Sequence, residues 1–600
     1  MRNSKYIGMV MIAASLLAVA SCSDFDDYNK TGADVTPSAN QTLWENIQQN
    51  PQLSDFASLL KKSGFDNELN QTQYYTVWAP LNGTFDVASF QRLGDAALMR
   101  QFIKNHIASY GHQAKGQINE RILMLNEKSY DFEGNSSYKF DGVDLAQANL
   151  PSNNGILHTL NGVASFYPNL YEFVTDSLLS AGSEIDSLRH YFLRYENTYL
   201  DTKASVVGPI VDGMQTYIDS VMVTENMLWG MLNIKMNNED STYTFLMPNN
   251  KAWKSTYDRI RSNFNYISST SAQAFNGANI QTQPLVIPIE DPTFWADSLS
   301  CLYMTGYLTY SNNNDYNKWL TGTPSSLGSD TLYTTTRQKL SNPRDVMAHA
   351  SKSQMMSNGT AVILDSMAMY PWETYCPENV VSAARGNNIA RVLQGSTNSI
   401  EVNVNNLDPE KIDVSEMKSN TLRYLLVQNS GGSAKPELDI FLPDVLSTTY
   451  DIYCVFVPEN VDKQKSDVQT LPNRVIFTLN YCDKTGALQN YTFLDENEER
   501  VNAFKEKYKL SDGREGSANY NTNRAFSNDI SKVDTLYIGE FTFPVCYYGL
   551  EEGCCPNIKI TSPFSVVTGS VRNDFSRDLR IAAIILKPKE LVEFEESNKK

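Results

Sequence analysis

Histidine is scarce in this chain: there are five, at His106, His112, His158, His190 and His349, scattered over separate segments. Metal-assisted hydrolysis and His-based nucleophilic centres draw on grouped imidazoles, and neither a His-Glu-x-x-His pair nor a Gly-x-Ser-x-Gly elbow is present. Phosphate loops and dinucleotide fingerprints are missing as well, which removes the common nucleotide-dependent enzymes. Basic residues are outnumbered, 50 Lys and Arg against 68 Asp and Glu for a net charge of -18, so the positive footprint that nucleic acid requires is lacking. His106 and His112 straddle Gly111 with no carboxylate motif beside them, and Cys546, Cys554 and Cys555 form no Cys-x-x-Cys pair. No cofactor and no metal are therefore expected. Carboxylates abound, but nothing singles out the two that a glycosidase places across a cleft. The stretch Asp512-Gly513-Arg514-Glu515-Gly516 lacks the full pattern of a calcium loop.

Long apolar runs are equally rare. One uncharged run spans residues 7–20, behind Arg2 and Lys5, and leads into Ser21-Cys22. It is short for a membrane span, which needs about 20 residues. The arrangement resembles a bacterial lipoprotein signal, which implies removal of residues 1–21 and a lipid on Cys22. Ser23 is followed by an acidic cluster, Asp24, Asp26 and Asp27, similar to the sorting tract of surface lipoproteins that accompany starch-utilisation-type uptake systems in Gram-negative bacteria. That resemblance implies a lipid-anchored protein of the outer membrane facing the exterior, with residues 22–39 as an acidic flexible linker. Lipidation of Cys22 leaves an odd number of the eight cysteines, five of which (Cys454, Cys482, Cys546, Cys554, Cys555) fall late in the chain, where a pair could staple a C-terminal domain.

The remainder has a globular composition, 41% hydrophobic and 20% charged. At about 100–200 residues per domain, several domains are expected. Two segments recur in the same order. The first pair reads Tyr75-Thr76-Val77-Trp78-Ala79-Pro80-Leu81-Asn82 and Asn154-Gly155-Ile156-Leu157-His158-Thr159-Leu160. The second reads Tyr243-Thr244-Phe245-Leu246-Met247-Pro248-Asn249-Asn250 and Asn358-Gly359-Thr360-Ala361-Val362-Ile363-Leu364-Asp365. Alternating apolar residues that end in Pro80 and Asn82 describe a strand running into a turn, because proline cannot donate to a ladder and asparagine bonds backbone nearby. Asn154-Gly155 is a tight-turn dipeptide that leads into another strand. Ahead of the first signature, Leu43, Ile47, Phe56, Leu59 and Leu60 are spaced like the apolar face of helices broken near Pro51.

These signatures resemble those of the fasciclin domain, whose pattern places Thr76, Pro80, Asn82, Asn154, Gly155 and His158 in a first domain and Thr244, Pro248, Asn250, Asn358, Gly359 and Asp365 in a second. The second copy is degenerate, with Val362 where the first has His158, and it is stretched by polar insertions expected in residues 262–279 and 311–342. His158 suits a catalytic base on paper, but a histidine in an apolar strand reads better as a core residue bonded to a neighbouring loop. The resemblance implies an α+β fold for residues 40–174 and 175–384, and adhesion or partner binding. The Tyr-His motif associated with integrin recognition in animal members is not carried over, since Asn105 precedes His106.

Beyond residue 385 the period changes to two. Ile400, Val402 and Val404 alternate with polar partners, as do Val475, Phe477, Leu479 and Tyr481, and Tyr450, Ile452, Cys454 and Phe456. Such strands predict an all-β antiparallel sandwich over residues 385–590, followed by a polar tail at 591–600. Residues 442–453 resemble a strand entry in jelly-roll carbohydrate-binding modules. With 33 Tyr and 7 Trp, stacking on sugar is the alternative use of this region. The sequence is thus read as a surface binding or adhesion protein accessory to a nutrient uptake system, with a membrane, surface proteins or a glycan as partners and no enzymatic role. A glycan-binding module and a hydrolase with an unrecognised carboxylate pair are its rivals.

Overall fold

The computed structural model describes residues 40–176, 182–211, 213–267, 291–312, 331–392, 400–410, 414–415, 417, 422–429, 436–459, 470–507, 523–563 and 574–599. Cys22, Asp24, Asp26 and Asp27, most of the two expected insertions, and residues 512–516 lie outside them. The chain divides into two compact units, Met1–Phe245 with Ser311–Asp315 and Lys352–Val362, and Leu246–Tyr310 with Tyr316–Ser351 and Ile363–Lys600.

The first unit opens on helix α1 (Leu43–Gln49), which starts where Thr42 and Glu45 close a capping box. Pro51 begins a short 3-10 turn, and α2 (Ser54–Ser63) then runs to Gly64, whose left-handed backbone ends it. Seven strands follow: β1 (Tyr75–Pro80), β2 (Ile107–Ser109), β3 (Ile118–Leu123), β4 (Ser129–Gly134), β5 (Tyr138–Phe140), β6 (Val143–Ser152) and β7 (Gly155–Leu160). They form one sheet in the order β2-β1-β7-β6-β5-β4-β3. The two signature strands lie side by side and parallel, in register from Tyr75 against Gly155 to Pro80 against Leu160. Strand alternation then sorts the core. Val77 and Ala79 pack with Leu43, Ile47, Phe56 and Leu60, while Trp78 between them packs with Phe132, Phe140 and Leu160 in a second cluster.

The hinge of this arrangement is Asn154, buried just before β7. Its Oδ1 accepts the N–H of Leu43 at 2.7 Å, one of the amides that the start of a helix leaves unpaired. Its Nδ2 donates to the carbonyls of Leu69 at 2.9 Å and Gln71 at 2.6 Å. The next residue must be glycine, because a Cβ on Gly155 would stand 2.1 Å from the Tyr75 carbonyl oxygen and 2.5 Å from Leu43.

After the sheet come α3 (Leu170–Thr175) and α4 (Asp186–Arg194), then strands β8 (Glu196–Leu200), β9 (Val206–Val211), β10 (Met214–Asp219) and β11 (Met222–Asn226), and the short α5 (Leu228–Leu232). Helix α3 repeats the opening of the chain. Asn169 and Glu172 form its capping box, and Asn358 Oδ1 accepts the Leu170 N–H at 2.9 Å while its Nδ2 reaches the carbonyls of Met236 and Asn238 at 2.7 and 3.1 Å. Gly359 again sits against strand backbone, its absent Cβ lying 1.8 Å from the Tyr243 carbonyl oxygen. Helix α3 therefore does for the second pair of signatures what α1 does for the first, although residues up to 174 are grouped with the first copy in the sequence reading. The Asn-x-x-Glu pattern at 169–172 is the signal that marks the start.

A buried ion cluster joins the two copies inside this unit. Lys128, only 2% exposed, extends Nζ to Glu172 at 2.7 Å and to Glu239 at 2.8 Å. Glu239 also accepts from Asn169 Nδ2 and Ser357 Oγ at 3.3 and 3.1 Å.

Further strands are β12 (Tyr243–Pro248), β13 (Thr309–Ser311), β14 (Leu332–Tyr333), β15 (Lys339–Leu340), β16 (Ala350–Met356) and β17 (Gly359–Leu364). Four of them form a sheet ordered β13-β12-β17-β16, the same order as β2-β1-β7-β6. In the second unit, α6 (Asn250–Arg261), α7 (Pro292–Thr305) and α8 (Pro343–Ala348) precede the strand-rich end of the chain. Its strands are β18 (Asn379–Ser382), β19 (Ile389–Val392), β20 (Ile400–Asn406), β21 (Arg423–Asn429), β22 (Glu437–Phe441), β23 (Thr449–Phe456), β24 (Arg474–Cys482), β25 (Leu488–Thr492), β26 (Phe526–Ser527), β27 (Asp534–Thr542), β28 (Asn557–Thr561) and β29 (Leu579–Pro588). One sheet runs β20-β21-β29-β23-β27 with β18 also on β29, and the other β19-β22-β28-β24-β25 with β26 also on β24. Phe456 of the first sheet meets Phe477 of the second edge to face at 6.3 Å. Strand β18 brings the start of this region forward to 379, ahead of the expected 385. The expected polar tail is the end of α9 (Lys589–Asn598), where Val592 is buried and Phe594 lies 5.0 Å from Tyr370 and 4.9 Å from Trp372.

Removing a buried amide that satisfies three backbone groups leaves them unpaired, at about 1–3 kcal/mol each before relaxation. Asn154→Ala and Asn358→Ala are each expected to lower stability by about 3 kcal/mol, read as an earlier urea transition, against about 1 kcal/mol for the more exposed Asn82→Ala. Equal small effects at all three positions would show that the amides do not organise the sheet.

Candidate interaction surface

The signature residues fall into the scaffold. Thr76 is buried in β1, where Oγ1 donates to the Tyr110 carbonyl at 2.7 Å and accepts the His112 N–H at 3.0 Å. Pro80 ends that strand, and Asn82 accepts from the Asp55 N–H at 3.0 Å while donating to the Pro51 carbonyl and Ser54 Oγ, each at 2.9 Å. In the second copy Thr244 Oγ1 donates to Asn312 Oδ1 at 3.0 Å, and Pro248 ends β12. Asn250 is the first residue of α6, and its neighbour Asn249 supplies the helix cap, accepting the Ala252 N–H at 2.9 Å. Asp365 lies at the surface, where it meets His349 Nδ1 at 3.2 Å.

His158 is wholly buried in β7 and stacks with Trp78 at 5.5 Å. Its Nε2–H donates to the His112 carbonyl at 2.9 Å, and its Nδ1 accepts the Asn149 N–H at 3.3 Å. His106 is held the same way with its nitrogens exchanged, Nδ1–H donating to the Phe102 carbonyl at 2.8 Å and Nε2 accepting the Ala164 N–H at 3.1 Å. Each ring is thus fixed in a neutral tautomer, and adding a proton would break the bond that its acceptor nitrogen makes. Burial pushes both imidazoles down to about 4.

What the sequence reading did not anticipate is an arm. Strand β8 pairs antiparallel with β11, and farther out β9 pairs with β10, so the described residues between 196 and 226 form a two-stranded ribbon, and among the described residues neither pair has a third strand. Its base is clamped. Buried Asn226 donates to the Phe192 carbonyl and accepts the Leu228 N–H, at 2.8 and 2.9 Å, and Tyr171 bonds Glu196. Midway, Asp201 N–H donates to the Val221 carbonyl and Val221 N–H to Ser205 Oγ, both at 2.8 Å. Gly213, with φ 78, lies in the turn at the tip.

The outer half is apolar and open to solvent. Val206, Val207 and Val211 are exposed, and Ile210 and Met214 keep 70% and 71% of their surface accessible. Near the base, Met222, Met227 and Met231 are exposed as well. Between Lys203 and Asp219 the sequence carries a single charge, Asp212, in a chain that is 20% charged. Strand β9 also contains Gly208 and Pro209, and proline on an edge blocks further strand pairing. The apolar side chains are therefore offered on the faces of the ribbon. A two-stranded ribbon gains little from such residues by itself, and grouped exposed apolar side chains mark contact surfaces. The sequence signal was present in Val211-Asp212-Gly213-Met214, an Asp-Gly turn between apolar residues.

Comparison with known proteins bears on the first unit. Residues 51–165 match the family description of the fasciclin domain, and a fasciclin domain occupies that part of the chain. No curated protein matches the chain. Among solved structures, a FAS1 domain pair from the insect cell adhesion molecule fasciclin I is similar at 13% identity, covering 54% of this chain and 99% of that one with a TM-score of 0.19. The CBM22-1 and GH10 modules of Clostridium thermocellum endo-1,4-beta-D-xylanase 10B, solved with xylohexaose, align at 10% identity over 35% of this chain and 28% of theirs, with a TM-score of 0.18. At such scores neither overlay defines the fold of this chain.

The two neutral histidines give a signed pH dependence. Between their ordinary value of 6.5 and about 4 the unfolded chain binds protons that the folded chain does not, so stability falls as the pH falls through that window, by up to about 1.4 kcal/mol per pH unit for each ring. Asp141, pushed up to about 6 by burial, works in the opposite direction over part of the range. His158→Val removes one of the two rings, and its urea midpoint should fall less steeply than that of the wild type from pH 6.5 to 4.5. Parallel slopes would exclude the imidazole as the cause.

Proposed function

We propose that this chain is a lipid-anchored, outward-facing binding protein of a bacterial outer membrane, accessory to a starch-utilisation-type uptake system, that holds a protein partner through the arm at residues 196–226. In this reading Cys22 carries the lipid, and Asp24, Asp26 and Asp27 direct the protein outward. The second pair of signatures belongs to a second, degenerate fasciclin-type domain, supported by the repeated amide clamp of Asn358, and the two C-terminal sheets are a jelly-roll-like sandwich. No catalytic role is part of it.

The observation that carries the reading is the apolar tip. Fasciclin domains are associated with adhesion or binding, and the arm adds exposed Val207, Ile210, Val211 and Met214 where a folded core gains nothing from them. A second reading, capture of glycan, is favoured by the ring cluster where β25 and β27 approach: Tyr491, 43% exposed, lies 5.3 Å from Phe541, which is 4.8 Å from Tyr481. Such rings supply the stacking faces that sugars use.

Protease added to intact cells should digest the wild-type protein and spare a variant with Asp24, Asp26 and Asp27 changed to alanine. A photo-crosslinking residue at Met214 should give a discrete adduct with an envelope protein, and one at the exposed Leu494 should give none. Protection of the wild type, or equal labelling from both positions, would overturn the reading. Loss of glycan retention in Tyr491→Ala with the Met214 adduct absent would favour the second.

A further inference from the structure

The second unit contains a cavity of about 270 Å³ that none of the signature residues line. Its wall is assembled from distant parts of the chain: Tyr303 of α7, the segment that leads into β18, the turn ahead of β23, and Tyr548 in the loop after β27. Glu378 and Asp444 contribute two carboxylates, and among the lining residues there is no Lys, Arg or His.

Most hydrogen-bonding capacity of the deeper wall is spent. Tyr450 OH accepts the Leu446 N–H at 3.2 Å and meets Cys376 Sγ at 3.6 Å. Tyr303 donates its hydroxyl to Tyr548 OH at 2.7 Å, with the two rings edge to face at 6.0 Å. Asn379 donates Nδ2 to the Pro443 carbonyl at 2.6 Å, so what remains of its side chain is an acceptor. Asp444 is exposed at the rim and held in the left-handed region, φ 57, a conformation that costs a non-glycine residue energy. One of its oxygens accepts the Gly549 N–H at 3.1 Å, which fixes the carboxylate beside the opening. Its charge is felt in the wall. Burial, the Tyr548 hydroxyl and then Asp444 push Tyr303 upward, and burial with Asp444 as a lesser cause holds Cys546 up at about 12.

The lining residues carry aromatic rings, carboxylates and acceptor oxygens and no basic side chain of their own, although Arg259 acts on Tyr375 from outside the lining, and this balance favours a ligand that brings positive charge and N–H donors. We infer that this cavity binds a small molecule carrying an ammonium group, seated among Tyr303, Tyr450 and Tyr548 and directed by Asp444 and Glu378. The ammonium can belong to an amino sugar or to a short aliphatic amine. The volume accommodates one ring or a short chain, so an extended polymer is not the occupant.

The test is calorimetric titration of the full-length protein in detergent with glucosamine, glucose, choline and putrescine at neutral pH and low salt. Glucosamine or one of the simple amines should bind with measurable heat, and glucose should bind at least 10-fold more weakly. The ranking of glucosamine against choline and putrescine separates the two sources. Asp444→Asn is the informative variant, because asparagine tolerates the left-handed backbone and keeps the acceptor for Gly549 while removing the charge. It should retain the wild-type melting temperature and weaken the preferred amine at least 10-fold, and Glu378→Gln should do likewise. Binding of glucose as tightly as glucosamine, absence of heat with all four probes, or unchanged affinity in both folded variants would each overturn the inference.

Discussion

The first unit depends on one geometric demand: two parallel strands, β1 and β7, must run at backbone contact distance beneath a helix whose first amides have no partner of their own. Asn154 and Gly155 meet that demand together. The amide of Asn154 satisfies the start of α1 and ties down the turn at Leu69 and Gln71, and the missing side chain of Gly155 lets the Tyr75 carbonyl pass 2.1 Å from where a Cβ would be. Without the amide, the buried Leu43 N–H and Leu69 carbonyl and the part-buried Gln71 carbonyl lose their partner. Without the glycine, the strands cannot close. The same solution at Asn358 and Gly359, with changed surroundings, shows that it is the pairing of amide and glycine that the chain retains, while His158 gives way to valine at the matching place.

For the same reason the first domain is legible in the sequence alone. A signature such as Asn154-Gly155 encodes a local physical requirement, and local requirements survive in sequence. The alternation in Val475, Phe477, Leu479 and Tyr481 was readable for the same reason, since period two fixes which face is buried. What escaped was long-range or partnerless. Helix α9 was hidden because its glutamates outnumber its apolar residues, of which Phe594 packs on Tyr370 and Trp372. The arm was hidden because its valines and methionines look like core to any reading that assumes apolar residues are buried. The Tyr303 cavity had no chance of being read, being drawn from four segments spread between Tyr303 and Tyr548.

The arm and the sheet solve opposite problems with the same residue types. In β7 every residue is buried, and the apolar side chains work by being removed from water. In β9 and β10 they remain in water, and the chain protects itself in other ways: Pro209 spoils one edge for strand addition, and register shifts in the β9–β10 ladder disturb its regularity. A surface built like this discourages strand pairing at its edge while leaving its faces open to solvent.

Lys128 bears on modularity. Domains are commonly treated as beads that can be cut apart singly. Here the cation buried at the β3–β4 turn has its two counter-charges on Glu172 of α3 and on Glu239, both beyond the fasciclin match at residues 51–165. An excised piece ending at residue 165 would lose both neutralising partners, and any burial that Lys128 kept would then be uncompensated. A cation whose counter-charges both lie outside its own sheet makes the boundary of a separable piece a matter of charge as much as of fold.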